Sequence, residues 1–210
     1  MMRQAARGAR RRAQRLPPEE RHRRLLACAL EVFARLGVGS TVHADVARAA
    51  AVSVPTVFTY FPTREILTTA VLAEVERFLL QLMAESVTGE PSSAARIGDI
   101  LRAFAHAVDD HADYIRVWMD WSTIVAEPTW SRYIAFQDRI LANFEELIAQ
   151  GQATEEIDRG VDATMGAHLI MGSGHMIAQM KFRHRDDGMI EHFIDTVIGR
   201  ALFDAAGATR

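Results

Sequence analysis

The sequence predicts an all-α fold of about nine helices, on three observations. Apolar residues recur at three- and four-residue spacing in segment after segment. Alternating strand patterns are absent, and Ser, Thr, Pro and Gly fall at the segment ends, where helices start and stop. The chain has 210 residues, 49% of them hydrophobic, which is ample for a core.

Residues 1–15, MMRQAARGARRRAQR, hold six arginines and almost no large apolar side chain, so they are expected to form a free basic arm. Pro17 and Pro18 punctuate the start of a helix from about Glu19 to Leu36, with Leu26, Ala29, Leu30 and Phe33 inward and Gly37 at its end. A short second helix follows Thr41, expected as its N-cap, and carries Asp45 near its positive end. The turn AVS leads to a third helix capped by Ser53. On it Val54, Val57, Phe58 and Phe61 fall at i, i+3, i+4 and i+7 and predict one apolar face. Pro55 is compatible with that helix because first-turn N–H groups have no intrahelical partner to lose.

Thr63 is expected to cap a long helix over 64–86. Ser92 or Ser93 starts another to about Val108, and HADYIRVWMDWSTIVA continues as helix or broken helix. Pro128 suits the first turn of a helix ending near Gly151. The glycine-dotted stretch 161–182 reads as a buried helix, and the last amphipathic helix spans about 189–203.

Charge divides the chain unevenly. Residues 1–66 carry twelve arginines against five acids, a balance of +7; the rest carries twelve bases against twenty-two acids, a balance of −10. A basic piece on an acidic body points to a polyanion met by the N-terminal part alone. The apolar runs are too short to span a bilayer and no secretory pattern opens the chain. Cys28, the lone cysteine, reads as core filler beside Leu25 and Val32, so a cytoplasmic protein without a membrane partner is expected. No nucleophile elbow, phosphate loop, paired-carboxylate motif or compelling metal spacing appears, so neither an enzyme nor a cofactor is expected. His168 and His175, seven residues apart, share one helical face without forming such a site.

Two short helices joined by a tight turn make a helix-turn-helix, whose second helix enters the major groove with its N-terminal residues nearest the bases. Pro55, Thr56, Thr59 and Tyr60 point away from the apolar face; an ordinary surface helix in a bundle would show the same periodicity. The segment STVHADVARAAAVSVPTVFTYFPTRE resembles the DNA-binding part of the TetR family of bacterial transcription regulators. Within it, GVGSTVHADVA, VSVPTVFTYFPTRE and RVWMDWS with Trp130 resemble the LuxR/HapR group of quorum-sensing master regulators.

That resemblance implies a helix-turn-helix domain over 16–63 and a helical regulatory and dimerisation domain over 64–210. It implies a homodimer on a near-palindromic double-stranded DNA operator. Ser53, Pro55, Thr56 and Thr59 would face the bases, Thr41, Tyr60 and Arg64 the phosphates, and Arg10, Arg11 and Arg12 the minor groove. His43 is expected to be packed and hydrogen-bonded. Pro55 and Thr59 stand where the LuxR/HapR group usually has alanine and asparagine. Threonine offers one hydroxyl and a methyl in place of a bidentate amide, so Thr56 and Thr59 are expected to read thymine methyls or single acceptors.

In the body, Phe78, Leu82, Trp118, Met119, Trp121, Phe136, Gln137 and Met171 have the composition of a pocket for a small apolar or amphipathic ligand, and equally that of ordinary core. By resemblance Trp118 and Gln137 are the better candidates, while Glu74 departs from the apolar residue expected at its position. Gly166, Gly172 and Gly174 fit a helix approached closely by a partner backbone, as in the four-helix dimer interface of the family, or a plain buried helix. A ligand-released repressor of an efflux or catabolic operon is the alternative within the class. A small-molecule carrier or enzyme with an incidental basic arm is the alternative outside it.

Overall fold

The computed structural model describes residues 17–86, 92–126 and 128–202, and the basic arm lies outside them. Among the described residues there are nine helices and no strand. They are α1 (Pro18–Leu36), α2 (His43–Ala49), α3 (Val54–Tyr60), α4 (Arg64–Glu85), α5 (Ser93–Asp110), α6 (Ala112–Trp121), α7 (Thr129–Ala153), α8 (Ala163–Phe182) and α9 (Asp187–Leu202).

The caps explain most of the boundaries. Ser53, Thr63, Ser92 and Asp162 each accept a bond from the backbone N–H three residues on, satisfying a donor that the first turn leaves unpaired. Thr41 does not cap α2. Its side chain is fully buried and its hydroxyl donates to the Gly37 carbonyl at 2.9 Å. The cap falls at Val42, whose N–H donates to the Asp45 carboxylate at 3.2 Å. α2 ends in a Schellman motif, with Val52 N–H on Ala47 O at 3.0 Å and Ala51 N–H on Arg48 O at 3.3 Å. Ala51 takes the left-handed position (φ +53°) that glycine usually fills. Gly37 ends α1 at φ +88°, ψ 155°, a conformation open to glycine and strained for other residues.

One continuous apolar core runs from Leu25 and Phe33 in α1 through Val46 and Val57 to Ile190 and Ile194 in α9. The inward stripe of α1 is Leu25, Ala29, Leu30, Val32 and Phe33, with Leu26 half-buried beside it. α4 and α6 pack on α1, α1 carries α2 and α2 carries α3, and α5, α7, α8 and α9 pack together behind them. No helix among the described residues is long and apolar enough to cross a membrane.

Candidate nucleic-acid interface

α3 is two turns long and buries Val57 alone; Phe61, just past its end, is buried with it. The four-residue apolar face is therefore corrected to a narrower stripe. Val54 is 36% and Phe58 45% exposed, because the small residues of α2 cover only one line of contact along so short a helix. Ser53, Pro55 and Thr59 are exposed and Thr56 and Tyr60 half-buried, so five of the residues singled out for DNA lie on this one helix and its cap.

The local bonds fix their side chains. Thr56 N–H donates to the Ser53 oxygen at 3.4 Å, and the two hydroxyls share a bond of 2.8 Å. The Thr59 hydroxyl donates back to the Pro55 carbonyl at 3.0 Å. Tyr60 leans toward His22 of α1, with ring centroids 6.2 Å apart. His43 is packed and hydrogen-bonded: it is buried and its Nε2–H donates to the Phe61 carbonyl at 2.7 Å. Its ring stacks on Phe58 at 4.0 Å with the planes 5° apart.

Two residues expected to face phosphates do other work. Buried Thr41 has its hydroxyl committed to Gly37 O, so it has nothing to offer a backbone oxygen outside. Arg64 turns its guanidinium onto the α1–α2 loop, donating to Thr41 O (3.0 Å), Val38 O (3.0 Å) and Gly39 O (2.5 Å). The opposite edge of that loop is held from the body, where the Asp120 carboxylate on α6 accepts the Val38 N–H at 2.7 Å. Arg64 of α4 thus grips the loop by its carbonyls, and the Asp120 carboxylate of α6 grips it by the Val38 N–H. Sequence spacing gave no sign of this latch, since Asp120 lies 82 residues from Val38.

A charge-assisted bond of this kind contributes about 1.5–3 kcal/mol. Asp120→Ala should lower the stability by that order in thermal unfolding and weaken DNA binding by loosening α2. Asp120→Asn, which keeps an acceptor, should restore most of both. An Asp120→Ala protein as stable as the unaltered one would show that the bond contributes nothing.

Behind the interface, an apolar cavity of about 60 Å³ lies between α4, α5, α6, α7 and α8. Leu82, Trp118, Phe136 and Met171 line it, joined by Phe104, Ile140 and Phe144, which sequence reasoning missed because their spacing is that of any core. Phe78, Met119, Trp121 and Gln137 do not line it. Phe78 instead packs on Tyr114 (4.2 Å) and His111 (5.0 Å), beside a Glu74 carboxylate that accepts from Arg77 and from the Tyr114 hydroxyl. The Arg77 bond holds the Glu74 carboxyl below its usual range against the effect of burial. Trp121 is fully buried core, its Nε1–H donating to Thr129 O at 3.0 Å.

Gly174 borders the cavity next to Trp118 and Gly166 is buried, so of the three helix glycines expected at a partner face only Gly172 points outward. His175 is set apart from exposed His168: it packs on Trp118 at 4.1 Å and meets the Ser122 hydroxyl at 3.3 Å. Burial pulls its pKa down. Among the described residues no group of three His, Cys, Asp or Glu side chains could hold a metal ion.

A second, polar cavity of about 340 Å³ adjoins the apolar one and shares Met83 and Ile100 with it. Arg96, Asn143, Glu146 and Gln150 line it, and the Arg96 Nε is buried without a hydrogen-bond partner.

One long and two short N-terminal helices presenting an uncharged two-turn helix, carried on a helical body with an apolar cavity, define a helix-turn-helix regulator. A family model described as "Bacterial regulatory proteins, tetR family" matches residues 25–71, and one described as "Tetracyclin repressor-like, C-terminal domain" matches residues 90–179. The HTH-type transcriptional regulator LuxR of Vibrio harveyi is 34% identical over 146 residues, 70% of this chain and 69% of that protein. The chain belongs to the TetR family, is a DNA-binding transcription regulator, and within the family resembles the LuxR/HapR group.

Solved structures agree in fold. A putative TetR-family transcriptional regulator from Rhodococcus sp. superposes with a TM-score of 0.76 at 19% identity, over 87% of this chain and 98% of that one. FadR of Bacillus subtilis, solved in complex with stearoyl-CoA, does so at 0.70 and 17%, over 87% and 98%.

Proposed function

We propose that this chain acts in the cytoplasm as a homodimer on a near-palindromic operator, with α3 of each protomer in the major groove. The observation that carries the reading is the gathering of Ser53, Pro55, Thr56, Thr59 and Tyr60 on one helix, in the part of the chain whose balance is +7. Thr41 and Arg64 act by fixing the α1–α2 loop. Arg10, Arg11 and Arg12 belong to the arm and would supply minor-groove and phosphate contacts, for which arginine suits a narrow, A·T-rich groove. Residues 16–63 form the DNA-binding unit and 64–210 the regulatory one, and the chain catalyses no reaction.

The dimer face is the outer stripe of α8. Met165, Leu169, Gly172 and Met176 follow one another at spacings of three and four residues, and all are exposed, with Met189 of α9 nearby in the chain. An added Cβ at Gly172 would meet nothing within 4 Å, so a second helix could approach closely there. Two-fold symmetry would then place two copies of α3 about one helical turn, or a small multiple, apart on DNA.

A second reading, regulation by a small amphipathic ligand, is favoured by the two adjoining cavities. An apolar tail would enter beside Trp118 by displacing Met83, and a polar head would lie among Arg96, Asn143, Glu146 and Gln150. The stearoyl-CoA complex of the Bacillus subtilis relative supports an amphipath of this kind.

Selection from a random duplex pool tests the operator. A two-fold symmetric sequence bound by two protomers is expected; enrichment of an unsymmetric site by a lone protomer would overturn the dimeric reading.

A further inference from the structure

We propose that Phe58 is a specificity-determining residue, reading the 5-methyl group of thymine in the major groove; this rests on the placement of α3 in that groove proposed above. α3 has the sequence VPTVFTY, with no charged or amide side chain among its residues. The bidentate pairings that identify guanine or adenine are therefore out of its reach. Its hydroxyls are largely engaged as well. The Thr59 proton is committed to Pro55 O, and Ser53 and Thr56 spend one of their two hydroxyl protons on each other.

What the helix does present is apolar surface: Val54, Pro55, the Thr59 methyl and above all Phe58, 45% exposed. The Phe58 ring is not loose. It lies flat on His43 at 4.0 Å, and His43 is buried and tied by its Nε2–H to the Phe61 carbonyl at 2.7 Å. A ring ordered in advance loses little conformational freedom on contact. Of the base edges in the major groove, thymine alone presents a methyl, and phenylalanine is among the side chains that meet it by apolar contact. Phe58 therefore favours thymine at the position it covers, and its contribution is lost when that methyl is removed.

The test takes the operator selected by the full-length protein and replaces each thymine in turn with 2′-deoxyuridine, which removes the methyl and keeps the hydrogen-bonding edge. Binding of the unaltered protein should weaken about four-fold per half-site at the contacted thymine, the effect of one buried methyl. Phe58→Ala should bind thymine and deoxyuridine operators equally, with unchanged circular dichroism. With 5-bromodeoxyuridine at that position, ultraviolet crosslinking of the unaltered protein should map to Phe58, a readout that needs no variant to fold.

The proposal is overturned if no deoxyuridine weakens binding, if Phe58→Ala keeps the thymine preference, or if the crosslink maps elsewhere. Failure to enrich any sequence at all is a different outcome and would remove the major-groove reading beneath it.

Discussion

Trp121→Ala is expected to cause the largest loss of stability of any single truncation at the α6–α7 junction. The indole is fully buried, stacks near Phe136 at 5.7 Å and meets Tyr133 edge-on at 5.4 Å. Its Nε1–H satisfies the Thr129 carbonyl at the start of α7. Truncation removes the apolar burial and the bond to the Thr129 carbonyl, and leaves a cavity among rings that cannot collapse into it. The cost is about 3–5 kcal/mol, a large share of a typical total of about 5–15 kcal/mol. Thermal unfolding should shift down by roughly 6–20 °C for a chain of this size. Trp121→Phe should recover most of the packing while losing the indole bond to the Thr129 carbonyl. A shift below about 2 °C for Trp121→Ala would mean that the indole is not the keystone of this junction.

Leu169→Glu should have the largest effect on function. Leu169 is 61% exposed in the protomer, at the middle of the α8 stripe between Met165 and Gly172. In a two-fold dimer the substitution appears twice, placing two carboxylates in an apolar contact without partners. Sedimentation should show monomers. Operator affinity should fall by about 10²–10⁴-fold, because the second half-site no longer binds intramolecularly. Far-ultraviolet circular dichroism should be unchanged, since the side chain is outside the protomer core. A dimeric Leu169→Glu protein with undiminished affinity would place the interface elsewhere.

The helices were legible because the signals are local. Ser53, Thr63 and Ser92 cap where their side chains predict, and the long amphipathic segments fold within a few residues of their expected ends. Thr41 misled because a threonine before a helix satisfies the same pattern whether its hydroxyl caps forward or, as here, bonds back to Gly37. Phe58 misled because periodicity assigns a face but not its width, and a two-turn helix on a small-residue partner buries only its central line. Arg64, Asp120 and the cavity depend on contacts between distant segments, which spacing does not encode. Half of the expected cavity wall was right for a plain reason. Aromatic and aliphatic residues at helical spacing are all buried alike, and only the packing of α4 to α8 decides which of them border empty space.

Selective DNA binding by a dimer through α3 and the basic arm can be measured by salt-titrated binding to the selected operator and to a scrambled duplex of the same composition. Two protomers per operator and a preference of about 10³-fold or more over the scrambled duplex are expected. Affinity should also fall by roughly 10³–10⁵ between about 50 and 200 mM salt, as for six to ten phosphate contacts. Equal affinity for both duplexes, or no binding at about 50 mM salt, would contradict this mode of binding.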